Sequence, residues 1–486
     1  MYSVFGDRFL NQWERVADST TLATMRGNIK SYRIRKRPRN LRFAGFLSLQ
    51  SFVFSPRLTA YFRAFNKPKE YLDEILEKEE WLKENIKSAF ESYESLNSLS
   101  ETLGELYNQF ISISLMATYA SEKARVGLDK LFAPYPEMKE KVNLLERSLP
   151  GNITVQMGLD MFELSGFPEI TESSGYSEFS VLEFSKLFSN KWDDFMEKYG
   201  FRCPMEIDMK SVRPWENPKM VFDQIKQMSR ITETDMKPDF LYKKSVAARE
   251  DTYLELMEFA KEKGFSPNLA KNYEVTITLG GYRETHKYFI VMIIDAMKKE
   301  ILKVAEKLVS AGRLNNAYEI FDLKVTQIDE ILKNPSIDIH KLREENTRHI
   351  RKTEHIKHFP TIIDSRGRIP VPPKPEEKEG QLLGEAISVG RIKGHVKVLK
   401  SPTEKEILPG EVLVARTTDP GWTPLFINAA AVVLEIGGML QHGAMVAREY
   451  GKPCVAGVIN ATEKLKDGMI IEVDGSSGII TIIDET

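Results

Sequence analysis

The sequence predicts a multidomain protein with α and α/β parts, in which a large, mainly helical domain is followed by a small β/β/α domain. Apolar residues recur at three- and four-residue spacing in the earlier part, whereas the tail contains short β-branched runs bounded by Gly, Pro and Asp. A proline-rich segment separates the two parts. The length of 486 residues also exceeds one typical core. We therefore predict domains at 1–358 and 385–486, joined by a linker at 359–384.

The composition is that of an ordinary soluble protein, with 42% hydrophobic and 28% charged residues. A net charge of −2 gives no reason to expect a polyelectrolyte partner. Two distant cysteines, Cys203 and Cys454, argue against a disulfide scaffold or a cysteine-rich zinc site. The N-terminus lacks the pattern of a secretory signal, and no apolar run reaches the roughly 20 residues that span a bilayer. We therefore expect a cytoplasmic protein without a transmembrane segment.

Long helices are predicted in the first domain. Residues 70–130 carry apolar side chains at helical spacing, and no proline occurs between positions 69 and 133. A second long helix is predicted at 288–311, where Gly312 follows as a C-terminal cap.

The linker prediction depends on FPTIIDSRGRIPVPPKPEEKEG at 359–380, which contains five prolines. Such a segment favours extended, semi-rigid polyproline II. After it, HVKVLK, EVLVAR, AVVLEI, KPCVAG, MIIEV and GIITII are predicted strands. A helix is predicted after His442, between two of these strands.

His442 lies in GGMLQHGAMVAREYGKP, at the start of that helix. A neutral imidazole is a good nucleophile toward phosphorus, and a helix N-terminus offers free N–H groups to a phosphoryl group. Gly437, Gly438 and Gly443 allow close backbone approach. From these residues alone, a structural histidine at a helix start is the simpler interpretation.

Longer motifs change that interpretation. GGMLQHGAMVAREYGKPCVAGV, with TTDPGWTPLF at 417–426 upstream, closely resembles the phosphohistidine domain of the phosphoenolpyruvate-utilising enzymes. VGRIKGHVKVLKSP and PGEVLVAR are similar to the start of that domain. The resemblance implies that His442 is phosphorylated and that the linker is a swivel. Thr418 and Trp422 are candidates for positioning the phosphoryl group, with a buried packing role as the alternative for Trp422.

The helical region resembles the acceptor-binding domain of the rifampin phosphotransferase branch, in GNITVQMGLDMFELSG, KYGFRCPMEIDMKSVRPWENP and YRETHKYFIV. Phe201 stands where the family usually has a histidine. The resemblance implies that Arg283 and Lys287 face a phosphoryl group and that Glu284 is the general base. Because positions 283 and 287 are four apart, both cations can share a helix face. From spacing alone, an ordinary surface Glu–Lys pair is the alternative.

Arg202, Glu206 and Asp208 are weaker candidates for the substrate site, since a buried structural ion pair explains them almost as well. We predict no metal site. The histidines in RHIRKTEHIKHF (His349, His355 and His358) are surrounded by cations and lack a matching carboxylate set.

The leading hypothesis is one component of a phosphotransferase that passes a phosphoryl group from ATP to a small-molecule acceptor. The sequence contains no Gly-x-x-x-x-Gly-Lys-Ser/Thr loop. The resembled branches charge the histidine through an ATP-grasp domain, for which residues 1–380 leave no room. The resemblance therefore implies a separate ATP-grasp chain that binds ATP and Mg²⁺, and we expect no ATP-grasp or pyruvate-binding barrel domain here. A phosphoenolpyruvate synthase-like or condensing, ligase-like enzyme and a non-catalytic phosphocarrier or sensing protein are the alternatives.

Residues 26–69 hold twelve Lys and Arg, no acid and eight interleaved Tyr and Phe. A docking face for the ATP-binding chain, or a solvated surface, is the favoured interpretation. Membrane attachment is another, and nucleic-acid binding is unlikely.

Overall fold

The structure, a computed structural model, describes residues 56–234, 237–353, 380–402, 404–418, 420–438 and 441–484. Most of the predicted linker at 359–384 and most of the basic segment at 26–69 lie outside these residues, as do His355 and His358. None of the helices within the described ranges has the length and apolar character needed to cross a membrane.

The first domain is helical, as predicted. Its α-helices are α1 (Pro56–Asn66), α2 (Pro68–Glu91), α3 (Leu96–Phe132), α4 (Lys139–Leu144), α5 (Ile153–Ser165), α6 (Pro168–Thr171), α7 (Tyr176–Phe179), α8 (Lys186–Tyr199), α9 (Lys219–Met228), α10 (Pro238–Lys263), α11 (Ser266–Leu279), α12 (Thr285–Ser310), α13 (Val325–Lys333) and α14 (Ile339–Thr353). Short 3₁₀ turns lie at Pro136–Met138, Gly280–Glu284 and Ala317–Asp322.

The helical pattern at 70–130 is confirmed, and it is divided between α2 and α3. The second helix begins with a capping box in which the Ser95 and Ser98 side chains each accept a hydrogen bond from the other's backbone N–H, both at 3.1 Å. The Asp329 carboxylate from α13 accepts the N–H groups of Leu96 and Asn97, at 2.9 and 2.8 Å. A distant carboxylate therefore satisfies the orphan donors at this helix start.

The predicted helix at 288–311 is also confirmed, as α12, and it ends at the predicted glycine. Gly312 adopts a left-handed φ of 69°. Its N–H donates to the Val309 carbonyl and the Arg313 N–H donates to the Leu308 carbonyl, at 2.9 and 2.8 Å. These are the two bonds of a Schellman motif, which needs a residue tolerant of positive φ.

The second domain is a mixed sheet with short helices. Its strands are β1 (Gln381–Leu383), β2 (Glu385–Ser388), β3 (Arg391–Leu399), β4 (Val412–Ala415), β5 (Ala431–Leu434), β6 (Cys454–Ala456), β7 (Ile470–Asp474) and β8 (Ile479–Asp484), and its helices are α15 (Thr423–Asn428), α16 (His442–Glu449) and α17 (Ala461–Lys464). The strand order is β1-β8-β7-β3-β4-β5-β6-β2. Neighbours from β3 to β6 are parallel and the other pairs are antiparallel. The six predicted strands are all present, whereas β1 and β2 were not predicted.

The two domains are packed together through one apolar cluster. Side chains of α5, α8 and α9 in the helical domain pack against side chains in and next to β2, α15 and α16 in the second domain. The helical domain contributes Met157, Met161, Phe195, Val221 and Phe222. The second domain contributes Ile387, Trp422, Leu425, Ile427 and Tyr450. Around the edge, the exposed Arg230 and Glu406 form an ion pair at 2.7 Å. The second domain is therefore docked on the helical one in this structure.

The two domains approach each other closely at Gly158, within α5. A Cβ atom added at Gly158 would overlap the Tyr450 hydroxyl oxygen and would lie 3.3 Å from Ile427 Cδ1. The hydroxyl has no hydrogen-bond partner among the described residues. A helical glycine costs about 1 kcal/mol relative to alanine. The close approach of the second domain explains why glycine occurs here.

We predict that Gly158→Ala weakens docking while it strengthens α5 itself. The added methyl group overlaps Tyr450, and overpacking of this kind typically costs about 1–3 kcal/mol. Adding Tyr450→Phe removes the overlapping oxygen and should restore docking. A Gly158→Ala variant that docks as tightly as the parent would contradict this role for the glycine.

Docking can be followed by fluorescence energy transfer between dyes on Lys87→Cys and Lys466→Cys, two exposed positions on different domains. The native cysteines, Cys203 and Cys454, are both buried and should remain unlabelled. We expect lower transfer efficiency for Gly158→Ala and parental efficiency for the double variant.

Candidate functional site

His442 is the first residue of α16. Gln441, the residue before the helix, has extended backbone angles and contributes no side-chain cap. The first N–H groups of the helix are thus not capped by that side chain, and the positive end of the helix dipole lies at His442. This is the backbone arrangement that suits a bound phosphoryl group.

Glycines pack tightly around this helix start. A Cβ added at Gly443 would overlap Thr418 Oγ1 and would lie 2.7 Å from Leu434 Cδ1. Gly437 is buried with its α-carbon facing Ala456, where a Cβ would lie 2.8 Å away. The Gly438 carbonyl accepts the Gln441 N–H at 3.0 Å. The glycines therefore fix the backbone path into α16.

Thr418 and Trp422 lie in the segment that precedes α15. Thr418 Oγ1 is buried and has no hydrogen-bond partner within the described chain, and it touches the backbone at Gly443. The Trp422 side chain is only 4% exposed and belongs to the apolar cluster between the domains. Trp422 therefore occupies a buried position in which it packs between the domains, whereas Thr418 faces the start of the histidine helix.

The same segment contacts the helical domain. A Cβ at Gly421 would lie 2.8 Å from Pro204 and 3.1 Å from the Cys203 carbonyl carbon. Gln224 Nε2 on α9 donates to the Gly421 carbonyl at 3.4 Å. The loop that supports the start of α16 therefore rests on residues 203–204.

Residues 202–206 carry two of the predicted substrate-site residues. Arg202 Nε donates to Glu206 Oε2 at 2.7 Å, and both side chains are 2% exposed. Lys287 Nζ lies 3.3 Å from Glu206 Oε1. The structure thus joins Arg202, Glu206 and Lys287 in one ionic cluster. Asp208 is exposed and its Oδ1 accepts the Lys210 N–H at 2.9 Å, so it lies outside this cluster.

A fully buried arginine holds this loop. Arg213 Nη1 donates to the Phe201 carbonyl at 3.1 Å and Nη2 donates to the Glu206 carbonyl at 2.8 Å. Arg213 Nε lies 3.8 Å from the buried Asp295 carboxylate of α12. Sequence analysis did not single out Arg213, because its role depends on carbonyl groups that only the folded loop brings together.

Phe201 occupies the position at which the resembled family has a histidine. Its ring is 5% exposed and lies 5.1 Å, centroid to centroid, from the Tyr288 ring. The position is therefore an aromatic packing contact in this chain, and no imidazole chemistry is available from it.

Arg283 and Glu284 lie in the 3₁₀ turn before α12. At Gly281 an added Cβ would overlap the Pro150 carbonyl, so the turn is pressed against the loop before α5. Thr154 Oγ1 donates to Glu284 Oε2 at 3.1 Å. Arg283 Nε is buried without a hydrogen-bond partner among the described residues. Because Arg283 precedes the helix and Lys287 lies within it, the two do not share one α-helical face as the spacing predicts.

The C-terminal end of α16 is inserted beside this turn. Glu449 is 6% exposed; its Oε1 accepts a hydrogen bond from Asn152 Nδ2 at 3.3 Å and its carbonyl accepts one from Ser148 Oγ at 3.5 Å. Burial raises the pKa of the Glu449 carboxyl, while the positive charge of Arg283 opposes that rise. Arg283 and Glu449 therefore interact electrostatically across the domain interface.

His286 is a candidate residue of the functional site that the sequence pattern alone did not single out. Burial lowers the pKa of its imidazole, and Nδ1 is buried with no hydrogen-bond partner in the described part of the chain. Its carbonyl accepts the Tyr107 hydroxyl at 3.1 Å. The signal was present in the sequence, since a histidine lies between Glu284 and Lys287 in the RETHK motif.

Within the described ranges no three His, Cys, Asp or Glu side chains form a group able to hold a metal ion. Arg283 and Lys287, the cationic side chains among the predicted site residues, are able to neutralise a phosphoryl group.

Fold and site define a class of protein in which a β/α domain carries a histidine at a helix start and docks on a helical domain. Residues 407–478 match the PEP-utilising enzyme mobile domain, and residues 110–284 match the rifampicin phosphotransferase fourth domain. The chain thus combines a phosphoenolpyruvate-utilising enzyme mobile domain with a domain of the rifampicin phosphotransferase type. His442 and Thr418 fall in the first match, and Glu284 in the second.

Named relatives agree with these domains. Rifampicin phosphotransferase of Bacillus subtilis is 30% identical over 369 residues, which cover 71% of this chain and 41% of that protein. Rifampicin phosphotransferase of Bacillus cereus is 29% identical over 401 residues, which cover 77% and 45%. An uncharacterised phosphotransferase of Bacillus subtilis is 30% identical over 60% of this chain and 36% of that protein. The chain therefore spans less than half the length of these relatives.

We predict that docking weakens as the pH rises. In the docked state burial raises the pKa of the Glu449 carboxyl above the ordinary value of 4.5, so docking takes up protons. This contribution is complete below pH 4.5 and is lost as pH passes through the raised pKa. Glu449→Gln should dock more tightly at pH 8 and should show a smaller pH dependence.

The energy-transfer measurement between positions 87 and 466 tests this prediction over pH 5 to 8. Glu463→Gln, at an exposed position of the same domain, is the matched control and should titrate like the parent. Docking that strengthens with pH in the parent would contradict the assigned direction.

Proposed function

We propose that this chain is a phosphotransferase component that carries a phosphoryl group on His442. The phosphoryl group would come from ATP bound with Mg²⁺ by a separate ATP-grasp chain. It would then pass to a small-molecule acceptor held by the helical domain near Arg283, Glu284 and Lys287. The acceptor is proposed to have a hydroxyl group, and the process to be intracellular.

The observation that carries this proposal is the docking of α16 on the helical domain. At its start, the helix is supported by the loop that reaches residues 203–204, beside the cluster of Arg202, Glu206 and Lys287. At its end, the Glu449 carboxylate accepts a hydrogen bond from Asn152, and burial raises the pKa of this carboxyl while the positive charge of Arg283 lowers it. The segments next to both ends of the histidine helix therefore contact loops of the helical domain that adjoin residues predicted for the acceptor site.

The proposed acceptor step needs a base and positive charge. The acceptor oxygen attacks phosphorus, the bond from phosphorus to the His442 nitrogen breaks, and the acceptor's proton passes to Glu284. Arg283 and Lys287 would neutralise the phosphoryl oxygens. The Thr154 hydroxyl, which donates to Glu284, would orient the carboxylate.

Apolar side chains support a partly hydrophobic acceptor. Met205 and Ile207, on either side of the buried Glu206, are 69% and 56% exposed. The names of the relatives, rifampicin phosphotransferase, also favour a small-molecule acceptor.

We predict that candidate ATP-grasp proteins and ATP labelled at its β- and γ-phosphates will label this chain at His442. The label should be acid-labile and alkali-stable, because it is a phosphoramidate, and it should be absent from His442→Ala. His395→Ala, which changes an exposed histidine of the same domain, is the matched control and should keep the label. Label that persists in His442→Ala would refute the carrier assignment.

We predict that Glu284→Gln blocks transfer but not charging of His442. Loss of a general base typically costs about 10²–10⁴-fold in rate. The phosphorylated variant should therefore retain its label when acceptor is added, while the parent loses it. Glu262→Gln, at an exposed position on α10, controls for the loss of a carboxylate. Unchanged acceptor-dependent loss of label in Glu284→Gln would exclude this carboxylate as the base.

A further inference from the structure

A cavity lies between the two domains, at the C-terminal end of the histidine helix. Its volume is about 600 Å³, which is in the range of small-molecule sites. One wall is formed by the end of α3, by α4 and by residues 146–147. The other wall is formed by residues 386–389, Arg448 and the turn at 475–476. Neither the proposed phosphoryl chemistry nor the docking contact at Gly158 uses this space.

The arginine side chains that line this cavity differ in how far neighbouring carboxylates neutralise their charge. Arg125 donates to Glu122 at 2.7 and 2.9 Å and to Asp129 at 2.9 Å, so two carboxylates satisfy it. Arg448 lies 4.0 Å from Glu146. For Arg147, by contrast, the part of the chain that the structure describes provides no hydrogen bond or ion pair to the guanidinium group.

Arg147 also lies in a position where a lone cation is unfavourable. It is only partly exposed, and burial lowers the pKa of its guanidinium group, with Glu449 acting in the opposite direction. Desolvating a charged group without a partner costs free energy, and an anion in the cavity would recover it. The planar guanidinium group suits an oxyanion that can accept two N–H bonds.

Ser388, on the opposite wall of the cavity, provides a second and independent indication of a bound ligand. Its side chain is 2% exposed, and its Oγ is buried without a hydrogen-bond partner among the described residues. A buried hydroxyl in this state costs stability unless a ligand or water pairs with it. The nearby Ser476 hydroxyl accepts the Gly390 N–H at 3.3 Å, so its own proton remains available to donate.

We propose that this cavity binds a phosphate-bearing small molecule, whose phosphate is held by Arg147 from the helical domain and by Ser388 from the mobile domain. Because the two residues belong to different domains, the ligand binds only the docked arrangement and stabilises it. The volume exceeds the space that one phosphate needs, so the phosphate of a small ester fits better than free phosphate.

Titration calorimetry on the full chain at constant ionic strength tests the site, with inorganic phosphate and phenyl phosphate as probes. We expect both to bind, and phenyl phosphate to bind more tightly. Arg147→Gln should weaken both by at least about tenfold, since hydrogen bonds to charged groups are strong. Ser388→Ala should cause a smaller, several-fold loss. Phenyl phosphate binding no tighter than phosphate would identify free phosphate as the source of the anion.

Two control variants distinguish anion binding in this cavity from anion binding elsewhere on the protein. Arg230→Gln removes an exposed interdomain ion pair outside the cavity and should leave binding unchanged. Lys287→Gln removes a cation of the candidate phosphoryl site, so it reports any binding of the probes at that site rather than in the cavity. No binding of either probe, or binding that is lost in Lys287→Gln and kept in Arg147→Gln, would overturn the proposal. Neither result depends on whether His442 is phosphorylated.

Discussion

The close contact of α16 with α5 at Gly158 is the constraint on which the rest of the arrangement depends. Because an added Cβ would overlap the Tyr450 hydroxyl, only glycine permits the two helices to approach this far. This approach closes the apolar cluster between the domains and brings Glu449 to Asn152, and hence beside Arg283. It also sets the position of the opposite end of α16, where His442 begins the helix. A shift at one glycine would therefore move both ends of the histidine helix relative to the helical domain.

The interface combines favourable and unfavourable contacts, as a reversible contact requires. Apolar burial around Trp422 and Tyr450 favours docking. The burial of Glu449 opposes it, because burial raises the pKa of this carboxyl and so disfavours its ionised form. The exposed pair of Arg230 and Glu406 adds at most about 1 kcal/mol, as surface ion pairs usually do. Under the proposed function the domain leaves this interface, and such a balance lowers the free energy that separation costs.

Features of this fold that depend on neighbouring residues were predictable from the sequence, whereas features that bring distant residues together were not. Gly312 at the end of α12 and the β-branched runs of the sheet depend on neighbouring residues, so periodicity and capping preferences were sufficient. The cluster of Arg202, Glu206 and Lys287 joins residues about eighty positions apart, and only the folded chain shows that they meet. Arg147 carried no sequence signal at all. It combines a place in the wall of the cavity with the lack of a hydrogen-bond or ion-pair partner among the described residues, and this combination can be recognised only in three dimensions.

Arg213 holds the loop of the proposed acceptor site through contacts that lie within the helical domain. Its partners are the carbonyls of Phe201 and Glu206, the Cys203 thiol and the Asp295 carboxylate, and all of them belong to the helical domain. The loop that presents Glu206 to Lys287 is therefore held whether or not the second domain is docked. Preorganised charge is most effective when it is in place before the reacting group arrives. Under the proposed function, the helical domain would hold its charged groups in place, and the histidine helix would reach them as a unit positioned by the contact at Gly158.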